Sequence, residues 1–134
     1  MAPEEMAPAE PSAVERQLEA ARARISPRVR AAELAEHLSG AALVVDTRPS
    51  EQRRRDGELD GAVVIDRNVL EWRLDPTCPH RLPGFDDPHR KVIVVCNEGY
   101  ASSLAAAGLR DLGLTDVTDL EGGFQAWRSR STQN

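Results

Sequence analysis

Apolar residues are spaced along this chain in two rhythms, and the change falls at Gly40. Before it, Val14, Leu18, Ala21 and Ile25 recur at steps of four, three and four, which places them on one face of a helix. Ser26-Pro27 interrupts that pattern. A second short helix is predicted over Ala31–Leu38, stopped by Ser39-Gly40. After Gly40 the apolar residues come in short unbroken runs. Leu43-Val44-Val45 ends in Asp46, Ala62-Val63-Val64-Ile65 in Asp66, and Val92-Ile93-Val94-Val95 in Cys96; a weaker run covers Asp116–Leu120. Such runs suit strands buried on both faces, hence a parallel sheet. Helices predicted between them, over Ser50–Arg55, Asn68–Trp72, Ser102–Leu112 and Phe124–Arg130, give the alternation of an α/β fold with helices on both faces. Asp75–Arg90, with Pro76, Pro79, Pro83, Gly84 and Pro88, is predicted to be a loop. Residues 1–12 hold Pro3, Pro8 and Pro11 without an apolar period and read as a disordered tail.

The chain has 134 residues, 40% hydrophobic and 29% charged, which fits a single domain with a real core. Of the net charge of -5, Glu4, Glu5 and Glu10 supply three units from the tail. The remainder is near balance, without the clustered cations that nucleic-acid phosphates require. The apolar runs are far too short to span a bilayer. No leader pattern opens the chain, so a cytoplasmic protein without a membrane partner is expected. Two cysteines, Cys78 and Cys96, are too few for a disulfide scaffold or a four-cysteine zinc site, and no metal is expected.

In open α/β sheets, sites form at the carboxyl ends of strands, which draws attention to Asp46, Asp66 and Cys96. Cys96 follows the strongest run and precedes Asn97-Glu98-Gly99-Tyr100-Ala101, after which a helix begins, with Ser102 or Ser103 as its cap. A tight loop between strand and helix aims backbone N–H groups inward, and together with the helix dipole these hold an anion. A thiol at the mouth of such a cradle reacts as thiolate. The competing reading is a buried structural cysteine at a strand end.

Four motifs in order, over Val29 to Arg130, resemble the rhodanese family. They are Asp46-Thr47-Arg48 after the first strand; Gly57-Glu58-Leu59-Asp60-Gly61-Ala62 leading into the next; the loop Cys96-Asn97-Glu98-Gly99-Tyr100-Ala101-Ser102; and Leu120-Glu121-Gly122-Gly123-Phe124-Gln125-Ala126-Trp127. The resemblance implies a three-layer fold with a parallel sheet of about five strands. It divides the chain into the tail, an N-terminal helix and linker over 13–27, the domain over 28–131, and a short tail over 132–134. It also implies sulfur transfer through a persulfide on Cys96, from a small-molecule or protein-bound donor to a thiol or cyanide, with no metal or organic cofactor. Asp46 and Arg48 are expected to brace the loop, Gly122 and Gly123 to form a tight turn, and Trp127 to enter the core. Three positions depart from the pattern. Ala101 stands where the family has the loop arginine, Glu98 adds a negative charge, and Glu58 replaces a histidine. Arg67, Arg73 or Arg81 could restore positive charge to the pocket. Cys78 is read either as an incidental thiol or as one that resolves a persulfide.

Two other functions compete. Phosphatase or arsenate-reductase chemistry needs an arginine six residues after the cysteine to grip an oxyanion. Ser102 stands there, and the nearest downstream arginine is Arg110. The second is a non-catalytic module for partner binding or for redox or sulfide sensing.

Overall fold

The computed structural model describes residues 10–130. The tail expected at the start of the chain lies largely, and the one at its end wholly, outside them. Ser12, assigned to the tail, caps the first helix. Its Oγ accepts from the Glu15 N–H at 3.2 Å, and the Glu15 carboxylate accepts from the Ser12 N–H at 2.8 Å. This reciprocal pair satisfies two orphan donors of helix α1, Ala13–Arg24. Of the apolar face predicted there, Ala21 and Ile25 are buried, whereas Val14 is 60% exposed.

A 3-10 turn, Ala31–Glu33, runs into α2, Leu34–Leu38. Then follow β1 (Leu43–Asp46), α3 (Ser50–Asp56), β2 (Val63–Val64), a 3-10 turn (Arg67–Val69), α4 (Leu70–Arg73), β3 (Val92–Val95), α5 (Ala101–Asp111), β4 (Val117–Asp119) and α6 (Gly123–Arg128). The strands form one parallel sheet in the order β2-β1-β3-β4. The sheet has four strands where about five were expected; a single parallel bridge, Val29 to Leu120, occupies the fifth place.

The unbroken runs are explained by alternation. Leu43, Val45, Val92 and Val94 enter the core beneath α1, α4 and α5. Val44, Ile93 and Val95 enter a second core with Leu34 of α2 and Phe124 of α6. The central strands β1 and β3 carry these unbroken apolar runs because both of their faces are covered. The run at residues 62–65 was expected to behave alike, but only two of its residues pair. Val63 and Val64 are 36% and 45% exposed, because β2 is the sheet edge. Segment 75–90 is a chain of turns, pinned to the core by Phe85, 2% exposed. Among the described residues no helix is long and apolar enough to cross a membrane.

Asp56 at the end of α3 ties this helix to α6. Its carboxylate accepts from Arg55 at 3.0 Å, from Gln125 Nε2 at 2.9 Å and from Arg128 at 2.8 Å. These bonds, that to Arg55 foremost, hold its pKa down to about 2 against an ordinary 3.8. A carboxyl whose pKa is lower folded than unfolded stabilises the fold above the unfolded value, and that contribution fades as pH falls through the folded one. Stability is therefore expected to decline between pH 3.8 and about 2, and Asp56→Asn to flatten that part of an acid-unfolding curve followed by circular dichroism.

Candidate active site

Cys96 immediately follows β3 and is 8% exposed. Gly99 adopts φ +86, the left-handed region that favours glycine, and turns the loop back over the sulfur. The Gly99 N–H donates to Cys96 Sγ at 3.2 Å and the Ser102 N–H at 3.3 Å. The two amides form a cradle around the sulfur, the second of them coming from the first turn of α5. Neither serine caps that helix. Tyr100 is the N-cap residue, without a side-chain bond. The serines point inward, with Ser102 Oγ 3.2 Å from Cys96 Sγ and both hydroxyls 2.7 Å from Asp119 Oδ2.

The sulfur opens onto a cavity of about 380 Å³. Asn97, Glu98, Tyr100 and Ala101 line it from the loop, Thr47, Arg48 and Gln52 from the opposite side, and Arg67 from beyond β2. Of the three arginines suggested for this pocket, only Arg67 reaches it. Its Nη1 pairs with Glu71 at 3.0 Å on a half-exposed surface. Arg73 bonds the His80 carbonyl and lines a separate cavity beside Trp72. Arg81 bonds the Cys78 carbonyl in the long loop. Cys78 does not line the Cys96 cavity; its sulfur accepts from the His80 N–H at 3.4 Å. Asp66 caps the 3-10 turn by accepting from Asn68 N–H at 2.7 Å.

Asp46 and Arg48 form a buried pair under the cavity floor, both side chains at most 1% exposed. Arg48 Nη2 donates to Asp46 at 2.9 Å and to the Gly57 carbonyl at 2.9 Å. Arg48 also stacks over the Phe124 ring, 3.6 Å from its centroid, where a desolvated cation is favoured. The pair thus ties the end of β1 to the end of α3 and to α6. Trp127 is half-buried against the second core, and Arg130 lies over its ring.

Gly122 and Gly123 do more than turn the chain. The Phe124 N–H donates to the Cys96 carbonyl at 2.8 Å and the Gln125 N–H to the Asn97 carbonyl at 3.0 Å, so the start of α6 supports the loop from behind. A Cβ on Gly123 would lie 2.6 Å from Cys96 O, Asn97 C and Glu98 N. All three are backbone atoms and cannot step aside alone. Gly123→Ala is expected to lower stability by about 2–4 kcal/mol and to slow Cys96 chemistry beyond the unfolded fraction. A denaturant midpoint beside a rate of Cys96 labelling checks both.

Sequence reasoning missed Arg22, Arg28 and Asp119, and it read Ser103 only as a candidate helix cap, although its hydroxyl donates to Asp119. Asp119 ends β4 and is fully buried; the strand-end rule that picked out Asp46 and Cys96 applies to it equally. Arg28 Nε donates to Asp119 Oδ1 at 2.7 Å. Arg22 and Arg28 both donate to the Gly99 carbonyl, at 2.7 and 3.0 Å. Two guanidiniums thus grip the outside of the loop, and neither lines the cavity.

A family model for the Rhodanese-like domain matches residues 30–130. Thiosulfate sulfurtransferase GlpE of Pseudomonas fluorescens (strain Pf-5) is 50% identical over 91 residues, covering 60% of this chain and 83% of that protein. GlpE of Shewanella oneidensis is 35% identical over 72 residues, covering 54% of this chain and 62% of that protein. Among solved structures, a protein of unknown function from Rhodopseudomonas palustris, described as a possible tyrosine phosphatase, superposes with a TM-score of 0.77 at 34% identity. That match covers 92% of this chain and 94% of that one.

Proposed function

As the chain belongs to the rhodanese-like domain family, we propose that it is a sulfurtransferase whose sulfur carrier is Cys96. The carrying observation is the Cys96 sulfur itself, held at the wall of a cavity by one N–H of the loop and one of the first turn of α5. In the first half-reaction the Cys96 thiolate attacks a sulfane sulfur. The bond from that sulfur to the donor breaks, and its electron pair leaves with the donor remnant. In the second, an acceptor thiol or cyanide attacks the outer sulfur of the persulfide and the thiolate is restored. Loop amides and the start of α5 stabilise the anionic sulfur in both states.

Phosphatase chemistry is disfavoured by the same loop. An oxyanion needs a bidentate guanidinium inside the cradle, and the position that would supply it is Ser102, whose hydroxyl faces Asp119.

The cavity favours a less charged donor, such as an organic polysulfide or a protein persulfide, over dianionic thiosulfate. Ala101 contributes no cation, Glu98 opposes an incoming anion, Arg48 is neutralised by Asp46 and Arg67 by Glu71. The test is intact-mass spectrometry after separate incubation with thiosulfate, polysulfide and mercaptopyruvate. A gain of one sulfur mass on Cys96 identifies the donor class; no gain from any of them, nor from a persulfidated protein, refutes the activity. Ala101→Arg is expected to lower the KM for thiosulfate by about ten- to a hundredfold, the value of one charge-assisted contact. Glu98→Gln acts in the same direction, more strongly at low salt. Steady-state kinetics with cyanide as acceptor measures both.

A further inference from the structure

Asp119 is a buried carboxylate that the sulfur-transfer scheme does not use, and its surroundings give it a task. Its Oδ2 receives the Ser102 and Ser103 hydroxyls, both at 2.7 Å. Ser102 Oγ is also 3.2 Å from Cys96 Sγ. A hydroxyl has one hydrogen to donate. The shorter, charge-assisted bond to Asp119 takes it, so Ser102 turns its lone pairs toward the sulfur. That arrangement accepts an S–H and opposes a thiolate. For Ser102 to donate to anionic sulfur, Asp119 must give up a bond, and it keeps two partners: Ser103, and Arg28 at 2.7 Å on Oδ1 and 3.2 Å on Oδ2.

We propose that Asp119 is a positioning residue that acts on Cys96 through the Ser102 hydroxyl, restraining the resting thiol until substrate-driven ionisation turns that hydroxyl toward sulfur. The consequence for turnover rests on Cys96 being the sulfur carrier; the effect on the thiol does not. On ionisation the Cys96 proton leaves to water and the Ser102 hydrogen moves from Asp119 Oδ2 to Sγ. In the persulfide the charge resides on the outer sulfur, and Ser102 returns to Asp119. Several other charged groups surround the sulfur. Arg22 from α1 bonds Ser103 and the Gly99 carbonyl, Arg28 pairs with Asp119, Glu98 and Tyr100 stand on the loop, and Arg48 and Arg67 line the cavity, each paired with a carboxylate outside its lining, Asp46 and Glu71. All of these groups remain in the variants below, although Arg28 loses its charged partner in Asp119→Asn, an effect that the Ser102→Ala background also carries and so subtracts.

The experiment is the rate of iodoacetamide labelling of Cys96 in the full chain, read by peptide mapping so that Cys78 is scored separately, across about pH 6 to 9. Asp119→Asn removes the charge and, with its one remaining oxygen held by Arg28, sets an amide NH2 where Oδ2 accepted the Ser102 hydrogen. It is expected to raise labelling near pH 6 about tenfold, with the curves converging at high pH. The gain must require the hydroxyl, so Asp119→Asn added to Ser102→Ala is expected to give no further acceleration. An equal gain in both backgrounds, or none in a folded Asp119→Asn protein, overturns the proposal. Should Asp119→Asn fail to fold, Ser102→Ala alone decides, because alanine fits the 1%-exposed site. Faster labelling supports the restraint; unchanged or slower labelling overturns it. Sulfur uptake by the unmodified protein, measured in parallel by mass, separates this outcome from that of the proposed activity.

Discussion

Cys96→Ser protein will take up no sulfur from thiosulfate, polysulfide or mercaptopyruvate, and its sulfur-transfer rate will fall to that of the uncatalysed reaction. The exchange of sulfur for oxygen is small and the site is nearly closed, at 8% exposure, so the fold is expected to survive with an unchanged circular-dichroism spectrum. The chemistry does not survive. A serine hydroxyl is not ionised near neutral pH and is a poor nucleophile toward divalent sulfur, whereas two amides already point at the position of the cysteine sulfur. Cys78→Ser is the matched control. That thiol does not line the Cys96 cavity, and the variant should keep most of the activity. Persistent sulfur transfer after loss of Cys96, or its disappearance with Cys78→Ser alone, would contradict the assignment.

Asp46→Ala is expected to be the most damaging change to stability, by about 3–5 kcal/mol. In a domain of this size that corresponds to a fall in Tm of about 10–20 °C. The reason lies in what remains. Arg48 keeps a guanidinium with 0% side-chain exposure, deprived of the carboxylate that receives Nε at 3.1 Å and Nη2 at 2.9 Å. A buried cation without its partner costs more than the pair contributes. Combining Asp46→Leu with Arg48→Met should recover much of the loss, because it removes the charge as well as its partner. Thermal unfolding of the single and double variants measures this directly, and a double variant as unstable as Asp46→Ala would refute it.

How far the sequence foretold these features depends on the range of the forces involved. Strands β1 and β3 were legible because consecutive buried positions leave an unbroken apolar run, three residues long in β1 before Asp46 and four in β3. The run at 62–65 looked the same, yet became an edge, because exposure there depends on which elements lie above and beside it. The Cys96 loop was legible through local geometry, in which one glycine and a helix start determine where the amides point. The grip of Arg22 and Arg28 was not. The periodicity of α1 identifies its apolar face and says nothing of which polar residue on its flank meets a carbonyl 77 positions away. Asp119 sat in the weakest of the four runs, and its importance appears only when Arg28, Ser102 and Ser103 arrive from other segments.

The two arginines on the Gly99 carbonyl bear on where this unit begins. Residues 30–130 match the shared domain, yet Arg22 and Arg28 precede that stretch and touch the active-site loop. Anyone grafting the module into a fusion protein by cutting at the family boundary would transplant the cysteine without the clamp on its loop. A portable version starts at Ser12, the residue that caps the helix bearing Arg22.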